Sequence, residues 1–325
     1  MKFVFTKNVP QEIVDQLPHE VEYCVPKSSF SEEELFKELQ DADALISVGT
    51  RITEEFLEKW HPDSSERPLR VVGTVSVGYD HLPVDYCSAH GIAVVNTPQS
   101  VRYPTAELTV AIALNLLRRV QHYDARLRKS LRFDHGYFDS TATTIYGKTV
   151  GIFGLGSIGS KTAEVFHVLG AQILYTQRHD ADAALVEKLG ARRVQKEELF
   201  AQSDIISLHV PYVPEYHHLI DRDAIQTMKD GVILVNAGRG KLIDEDALIE
   251  GLKSGKIAGA ALDVFENEPV ISKELAAQEN TVLTPHIGTY AFESRADMVK
   301  EAVENTLAVL WGKRPLQWLN QKEMK

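Results

Sequence analysis

The chain has 325 residues, of which 44% are hydrophobic and 25% charged, and its formal net charge is −11. This length suffices for two domains with a large core, whereas an acidic chain without a dense Lys/Arg block is not typical of proteins that bind nucleic acids or anionic membranes. No apolar run reaches the roughly 18 residues of a transmembrane helix, and two cysteines with no secretion signal predict a cytoplasmic protein.

The first hundred residues alternate short β-rich runs with amphipathic segments. The strand-like runs are "KFVF", "ALISV", "LRVVGT" and "IAVVNT", and the helix-like segments are "QEIVDQL", "SEEELFKELQ", "TEEFLEKW" and "LPVDYCSAH". Alternation of this kind predicts a parallel sheet with helices on both faces.

A long helical pattern follows, "PTAELTVAIALNLLRRVQHYDARLRKS", and its first half is apolar almost all round, which predicts a buried helix. A loop-like stretch, "LRFDHGYFDSTATTIYG", separates this helix from a second series of strand-like runs. These runs are "KTVGIFGLG", "QILYTQ", "DIISLHVP", "GVILVNAG", "IAGAALDVF" and "NTVLTPHIG". Residues 295–311 then form one more amphipathic helix. We therefore predict an α/β protein with two doubly wound parallel-sheet domains.

A glycine-rich turn opens the second series. The strand "TVGIF" runs directly into Gly154, Gly156 and Gly159, and a helix and a second strand follow. In a dinucleotide-binding turn the first glycine allows the tight bend, the second lets the backbone approach a pyrophosphate, and the third lets helix and strand pack closely. Ser157 and Ile158 begin the helix, where backbone amides attract phosphate. A βα turn without a ligand is the alternative.

The residue 18 positions after the last glycine is Gln177, where NAD-binding sequences place an acid that bonds the ribose hydroxyls. An acid at this position would also repel the 2′-phosphate of NADP, and Gln177 removes that repulsion. Arg178 can pair with a phosphate, and His179 can add a donor. We therefore predict a preference for NADP(H), with NAD(H) still possible. The alternative is that Arg178 is a solvated surface cation.

Three later segments carry a resemblance to a known family. They are "SDIISLHVPYVPEYHHLI", "VNAGRGKLIDEDALIEGLKSGKIAGAALDVFENEP" and "TPHIGTYAFESR". Together with the glycine turn they resemble the D-2-hydroxyacid dehydrogenases, from "VGTVSVGYDHLPVD" to about Val303. The resemblance implies a Rossmann cofactor domain over residues 101–288, inserted into a flavodoxin-like substrate domain over 1–100 and 289–325.

The same resemblance implies a catalytic set of Arg239, Glu268 and His286. Reduction of a 2-keto acid needs an anchor for the carboxylate and a proton for the carbonyl oxygen. Arg239 suits the anchor, His286 suits the proton donor, and Glu268 can orient His286. Taken singly, each is better explained as a surface charge, a solvated loop acid or a core histidine. Their joint placement after predicted strand ends of one sheet, where ligands bind in such folds, favours the catalytic set.

Further cofactor contacts are implied by the resemblance alone. Asp263 matches a position near the nicotinamide, Val210 and Pro211 match a loop beside the ribose and pyrophosphate, and Thr105 and Ala237 complete the set. A polar residue that ends a strand is the alternative for Asp263, and a strand-ending proline is the alternative for Pro211.

The substrate end is assigned to the first domain. By resemblance, the backbone amides of Ser76, Val77 and Gly78 hold the substrate carboxylate, and Tyr290 lines the site together with Arg239. A small glycine-containing turn is the alternative for the loop, and interface packing is the alternative for Tyr290.

The three histidines of "HVPYVPEYHH" match no metal-ligand spacing, so we expect no metal. The leading hypothesis is an NADPH-preferring reductase that converts a 2-keto acid reversibly to a D-2-hydroxy acid, as a homodimer by resemblance. An NAD-dependent D-lactate dehydrogenase is the second hypothesis, and a non-catalytic dinucleotide-sensing protein of the same fold is the third.

Overall fold

A computed structural model describes residues 1–60, 69–132, 136–138 and 142–323, with the side chain of residue 60 left out. The chain divides into two compact units. Unit 1 comprises residues 1–101 and 289–325, and unit 2 comprises residues 102–288. No helix in the described ranges is both long and apolar enough to cross a membrane.

Unit 1 begins with five strands that alternate with four helices. The strands are β1 (Lys2–Phe5), β2 (Glu22–Cys24), β3 (Ala44–Ser47), β4 (Val71–Thr74) and β5 (Ala93–Val95), and the helices are α1 (Gln11–Val14), α2 (Glu32–Leu39), α3 (Glu54–Trp60) and α4 (Val84–Ala89). All pairings are parallel, in the order β2-β1-β3-β4-β5. This is the flavodoxin-like strand order. Every residue of β3 and β4 is buried, as a parallel sheet covered on both faces requires.

Unit 2 carries the longer sheet. Its elements are α5 (Arg102–Arg118), α6 (Val120–Ser130), β6 (Thr149–Phe153), α7 (Ser157–Val168), β7 (Gln172–Thr176), α8 (Ala183–Leu189), β8 (Arg192–Arg193), α9 (Lys196–Gln202), β9 (Ile205–Leu208), α10 (Arg222–Thr227), β10 (Val232–Asn236), α11 (Glu245–Ser254), β11 (Ile257–Leu262), α12 (Lys273–Ala276) and β12 (Thr281–Leu283). The parallel order is β12-β11-β10-β9-β6-β7-β8. The chain changes direction across the sheet between β6 and β9, and ligands of such sheets bind outside the carboxyl ends of the strands at that point.

Unit 1 is completed by α13 (Phe292–Leu310), which packs on β3, β4 and β5. Its Glu301 accepts hydrogen bonds from the backbone N–H groups of residues 99 and 100, at 3.0 and 2.7 Å. Asn305 donates to the carbonyl of Asn96, and Asn320 accepts from the N–H of Val94. The sheet of unit 1 is therefore held by residues far along the chain.

The prediction of two doubly wound parallel sheets is confirmed. Strands β2 and β8 were absent from the predicted set, because both are short, and β8 is made of two exposed arginines. The single long helix predicted after residue 103 was wrong. It divides at Arg119, which adopts a left-handed φ of 53°. Within the predicted loop that follows α6, residues 133–135 and 139–141 lie outside the described part of the chain.

Candidate active site

The glycine turn between β6 and α7 has three different steric environments. Gly154 has a φ of +99°, and a Cβ there would lie 2.8 Å from the Val210 side chain and 2.9 Å from the His209 carbonyl oxygen. A Cβ on Gly159 would overlap the carbonyl oxygen of Gly154, so α7 and β6 pack as closely as glycine permits. A Cβ on Gly156 would meet nothing within 4 Å. The turn is thus tight at its first and third glycines and open at its second.

The open side of this turn is the N-terminus of α7. Gly156 is the N-cap residue, and no side chain caps the helix. The N–H groups of Ser157, Ile158 and Gly159 have no intrahelical acceptor, because the first turn of any helix lacks one. Unsatisfied amides and the positive end of the helix dipole, next to a glycine with open space, fit the pyrophosphate of a dinucleotide.

The end of β7 carries the residues expected to select the dinucleotide. Gln177 is half-buried, and Arg178 and His179 are exposed. The Arg178 guanidinium lies over the ring of Tyr216 at 4.9 Å from the centroid, and its Nη2 is 3.8 Å from Glu215 Oε2. Tyr216 belongs to a short 3-10 helix, Pro214–Tyr216, that follows β9. An aromatic face and a carboxylate therefore contact the candidate phosphate-binding arginine.

A second arginine at this edge did not emerge from the sequence. Arg193, on β8, donates from Nη2 to the carbonyl oxygen of Gln177 at 2.9 Å and pairs through Nη1 with Asp180 at 2.5 Å. It also contacts the Arg178 carbonyl at 3.4 Å. Arg193, a residue of the next strand, therefore fixes the backbone that carries Gln177 and Arg178. The "RR" pair of β8 was the one sequence signal for this contact.

The candidate proton donor and its partner lie on adjoining loops of unit 2. His286 Nδ1 is 3.0 Å from Glu268 Oε2, and Glu268 Oε1 accepts the N–H of Phe265 at 3.0 Å. Burial raises the pKa of Glu268, but hydrogen bonds from His286 and Phe265 and the charge of Arg239 outweigh burial and lower the pKa below its ordinary value. Glu268 is thus an ionised partner for the imidazole.

His286 occupies an unusual backbone conformation. Its φ is +54°, in the left-handed region that non-glycine residues adopt rarely and at a cost of order 1–3 kcal/mol. Its N–H donates to the carbonyl oxygens of Asp263 and Thr284 at 2.8 and 3.0 Å. More than half of the imidazole is exposed, so the ring is accessible while its backbone is fixed.

Asp263 stabilises the turn that carries His286. It directly follows β11, is 1% exposed, and accepts from the Thr284 hydroxyl at 2.6 Å and from the N–H groups of Ile287 and Gly288 at 2.8 Å each. Its carboxylate therefore bonds to the turn that carries His286. Thr105, 7% exposed on α5, lies close to Gly288, where an added Cβ would be 3.3 Å from the Thr105 methyl group.

Arg239 follows β10 in a loop organised by Asn236. The Asn236 amide donates to the Arg239 carbonyl at 2.9 Å and accepts the Gly238 N–H at 3.0 Å, so the intervening Ala237 is enclosed by the turn. Arg239 Nη1 donates to the Gly238 carbonyl at 2.8 Å. After the hydrogen bonds from His286 and Phe265, the charge of Arg239 is a further cause of the lowered pKa of Glu268. Val210 and Pro211 directly follow the neighbouring strand β9 with its trailing His209.

The candidate carboxylate loop of unit 1 directly follows β4. The Ser76 hydroxyl donates to the Gly78 carbonyl at 2.6 Å, and the Asn96 amide donates to the Val77 carbonyl at 2.7 Å. The N–H groups of Val77 and Gly78 have no acceptor among the described residues. The N–H of Ser76 likewise has no acceptor among the described residues, so the loop has its carbonyls engaged and three amides available.

Tyr290 belongs to the second segment of unit 1, where it is 77% exposed. Its ring lies 5.7 Å from the guanidinium of Arg295, which donates to the Thr289 carbonyl at 3.1 Å. The phenol is therefore presented to solvent within its own unit.

Two asparagines were missed by the sequence interpretation, Asn96 in "VVNT" and Asn236 in "LVNAG". Each directly follows or ends a buried strand and bonds the loop that carries candidate site residues. An amide at the end of a buried strand was the available signal, because Asn bonds nearby backbone readily.

Across the part of the chain that the structure describes, no three His, Cys, Asp or Glu residues group as metal ligands do.

Comparisons with known proteins identify the family of this chain. Residues 110–288 match the family model described as "D-isomer specific 2-hydroxyacid dehydrogenase, NAD binding domain". The glyoxylate reductase of Pyrococcus furiosus is 35% identical over 333 aligned positions, covering 100% of this chain and 96% of that protein. Glyoxylate/hydroxypyruvate reductase B of Serratia proteamaculans is 35% identical, covering 95% and 94%.

A solved structure extends the likeness to three dimensions. The NADPH-dependent glyoxylate/hydroxypyruvate reductase of Sinorhizobium meliloti, in complex with citrate, superimposes with a TM-score of 0.86 at 26% identity, covering 99% of this chain and 98% of that one. The family inferred from the sequence motifs is therefore confirmed. The chain belongs to the D-isomer specific 2-hydroxyacid dehydrogenase family of NAD(P)-dependent enzymes.

Proposed function

We propose that this protein reduces a small 2-keto acid, of the glyoxylate or hydroxypyruvate kind, to the D-2-hydroxy acid with NADPH as the preferred cofactor. The observation that carries the proposal is the pairing of His286 with the ionised Glu268 at 3.0 Å, beside the charge of Arg239. The names of the relatives, glyoxylate reductase and glyoxylate/hydroxypyruvate reductase, support the choice of substrate.

In the proposed reaction Arg239 holds the substrate carboxylate and polarises its carbonyl through charge-assisted hydrogen bonds. His286, protonated and oriented through Nδ1 by Glu268, donates the proton on Nε2 to the carbonyl oxygen. When bound, the nicotinamide cofactor supplies the hydride to the carbonyl carbon. One hydride and one proton convert the ketone to an alcohol. In the oxidation direction His286 takes the proton back from the hydroxyl.

The cofactor is proposed to lie along the carboxyl ends of the strands of unit 2. The amides of Ser157, Ile158 and Gly159 would hold the pyrophosphate, with room provided by Gly156. The remaining cofactor contacts inferred from the family stay proposals; they are Thr105, Gly154, Val210, Pro211, Ala237 and Asp263.

The preference for NADPH rests on the end of β7. Gln177 leaves no carboxylate at the position that would repel a 2′-phosphate, while Arg178 presents an exposed guanidinium held over Tyr216. His179 is exposed beside them. A phosphate with two negative charges would replace the distant Glu215 carboxylate as the partner of Arg178, because 3.8 Å between exposed groups is a weak pair.

Substrate contacts are proposed for both segments of unit 1. The available N–H groups of Val77 and Gly78 suit a carboxylate, and Ser76 fixes their loop. Tyr290 is proposed to line the substrate side-chain site.

A homodimer is also proposed, supported by α6, which has no buried residue and exposes Val120 and Leu127. Light scattering of the purified protein tests the dimer.

A panel of 2-keto acids assayed with NADPH and with NADH tests the proposed function. We expect loss of reduced-cofactor absorbance with glyoxylate and hydroxypyruvate, and the D isomer of the product from longer keto acids. Absence of turnover with every keto acid, together with binding of the dinucleotide, would favour the sensing protein. Turnover with pyruvate and NADH in preference to NADPH would favour the D-lactate dehydrogenase.

The cofactor preference has a separate test in Arg178→Ala. Loss of a charge-assisted contact worth about 1.5–3 kcal/mol corresponds to roughly 10–100-fold in kcat/KM for NADPH, with little change for NADH. Arg192→Ala is the matched control, since Arg192 is equally exposed on β8 but pairs with Glu198. Equal losses with both cofactors, or an unchanged NADPH value, would contradict the proposed role.

A further inference from the structure

A second histidine–glutamate pair lies in unit 2, outside the candidate catalytic set. His218 Nε2 is 2.6 Å from Glu266 Oε1, and His218 Nδ1 is 4.0 Å from Asp244 Oδ2. The side chains of His218 and Glu266 are 30% and 22% exposed. His218 has a left-handed φ of +51°, and its N–H donates to the Lys241 carbonyl at 3.0 Å. The rings of His218 and His217 stack at 3.9 Å.

Glu266 also exchanges hydrogen bonds with Glu245, the first residue of α11. The Glu266 N–H donates to Glu245 Oε1 at 2.7 Å, and the Glu245 N–H donates to Glu266 Oε2 at 3.4 Å. Burial raises the pKa of Glu245, and the charge of Glu266 adds to that rise. His218 therefore faces two carboxyl groups, those of Asp244 and Glu266, and Glu245 joins the network through Glu266.

This network reaches the candidate active site through two short connections. Glu266 lies between Phe265, whose N–H bonds Glu268 Oε1, and Glu268 itself. On the other side, a Cβ on Gly240 would overlap the Phe265 carbonyl, so the segment that carries Arg239 packs directly against the same loop. A shift of the loop at Glu266 would therefore move Glu268 and displace the backbone segment that carries Arg239.

We propose that His218 and Glu266 form a positioning pair that holds the 265–268 loop and thereby keeps Glu268 aligned on His286. The inference rests on the proposed function, because it concerns the same proton transfer. His218 supplies a hydrogen-bond partner to Glu266 in a loop that otherwise gathers carboxylates, and like charges at such distances repel. Neither residue belongs to the catalytic set; both act through Glu268.

The test replaces His218 by Asn, which tolerates a left-handed backbone but cannot span the distance to Glu266. We expect kcat for keto-acid reduction to fall roughly tenfold, because small misplacements of catalytic groups are costly. The dissociation constant for NADPH, measured by fluorescence, should stay within about twofold, since no cofactor contact is touched. His217→Gln is the control, since its exposed ring stacks on His218 but joins no carboxylate in the described structure.

The pH profile separates positioning from general stability. A misaligned Glu268 favours protonated His286 less, so the alkaline limb of the rate profile should move to lower pH by about half a unit. Glu266→Gln retains an acceptor and the size of the side chain, and a smaller shift in the same direction is expected. This variant also serves if His218→Asn does not fold.

An active wild type whose two variants keep the wild-type kcat and alkaline limb would overturn the inference alone. A lower melting temperature with an unchanged limb would also overturn it, because the pair would then be structural. A wild type with no keto-acid turnover would instead overturn the proposed function.

Discussion

Asp263 offers the sharpest test of how the turn at His286 is held. Its two carboxylate oxygens accept three hydrogen bonds, from the hydroxyl of Thr284 and the N–H groups of Ile287 and Gly288, at 2.6 to 2.8 Å. Asn at this position keeps one acceptor oxygen and replaces the other by an NH₂ group. At least one buried donor then loses its acceptor and meets another donor instead.

The magnitude follows from the number and type of these bonds. A hydrogen bond to a charged group contributes about 1.5–3 kcal/mol, and the bonds that survive in Asn lose their charge. We therefore expect Asp263→Asn to lower the free energy of unfolding by roughly 2–4 kcal/mol. For a unit of this size, about 2–4 °C per kcal/mol places the loss in melting temperature at roughly 5–15 °C.

Thermal unfolding followed by circular dichroism measures this loss. Asp230→Asn is the control, because Asp230 is 93% exposed and pairs with Lys256 at 2.8 Å, an arrangement worth little. The control should unfold within about 2 °C of the wild type. Equal melting temperatures for Asp263→Asn and Asp230→Asn would refute the idea that the buried carboxylate organises the turn.

Four further substitutions address the site directly. His286→Ala should lower kcat by roughly 10²–10⁴-fold with unchanged NADPH binding by calorimetry, and full turnover would eliminate His286 as the acid. Because the pKa of Glu268 is lowered, its contribution to stability is present above the ordinary glutamate pKa and lost as pH falls through the lowered one. The difference in melting temperature between wild type and Glu268→Gln should accordingly close in acid, and a constant difference would contradict the pairing. Gly159→Ala should destabilise the fold, since its Cβ overlaps Gly154, whereas Gly156→Ala should fold normally and bind NADPH more weakly; the reverse order would contradict the assigned roles.

Local patterns predicted most of the fold, and the resemblance to a known family supplied the candidate trio. The run from β6 through the glycine turn to α7 is contiguous, so spacing alone identifies it. Arg239 and His286 follow predicted strands, and parallel strands end at one edge of a sheet. The loops that follow these strands therefore contain most of the candidate site residues, and the sequence identifies those loops.

Contacts between loops could not be read from the sequence. Arg178 and Tyr216 lie on different βα connections, and His218 and Glu266 are 48 residues apart. No periodicity links such residues, because their proximity depends on strand order. The break at Arg119 was missed for a different reason. The residues on both sides of it favour helix, and a single left-handed residue changes the chain direction without a glycine or proline to mark it.

The return of the chain to unit 1 has a consequence for biosynthesis. The strands β1 to β5 leave the ribosome first, but α13 and Asn320, which cover and bond them, follow only after all of unit 2 has been made. At about 5–20 residues per second, the sheet of unit 1 waits roughly 10–40 s for its last layer. During that interval the apolar faces of β3 and β4 are incompletely covered on the nascent chain. We expect chaperones that capture exposed strands to bind this protein at its N-terminal segment, while the contiguous unit 2 completes its own core first.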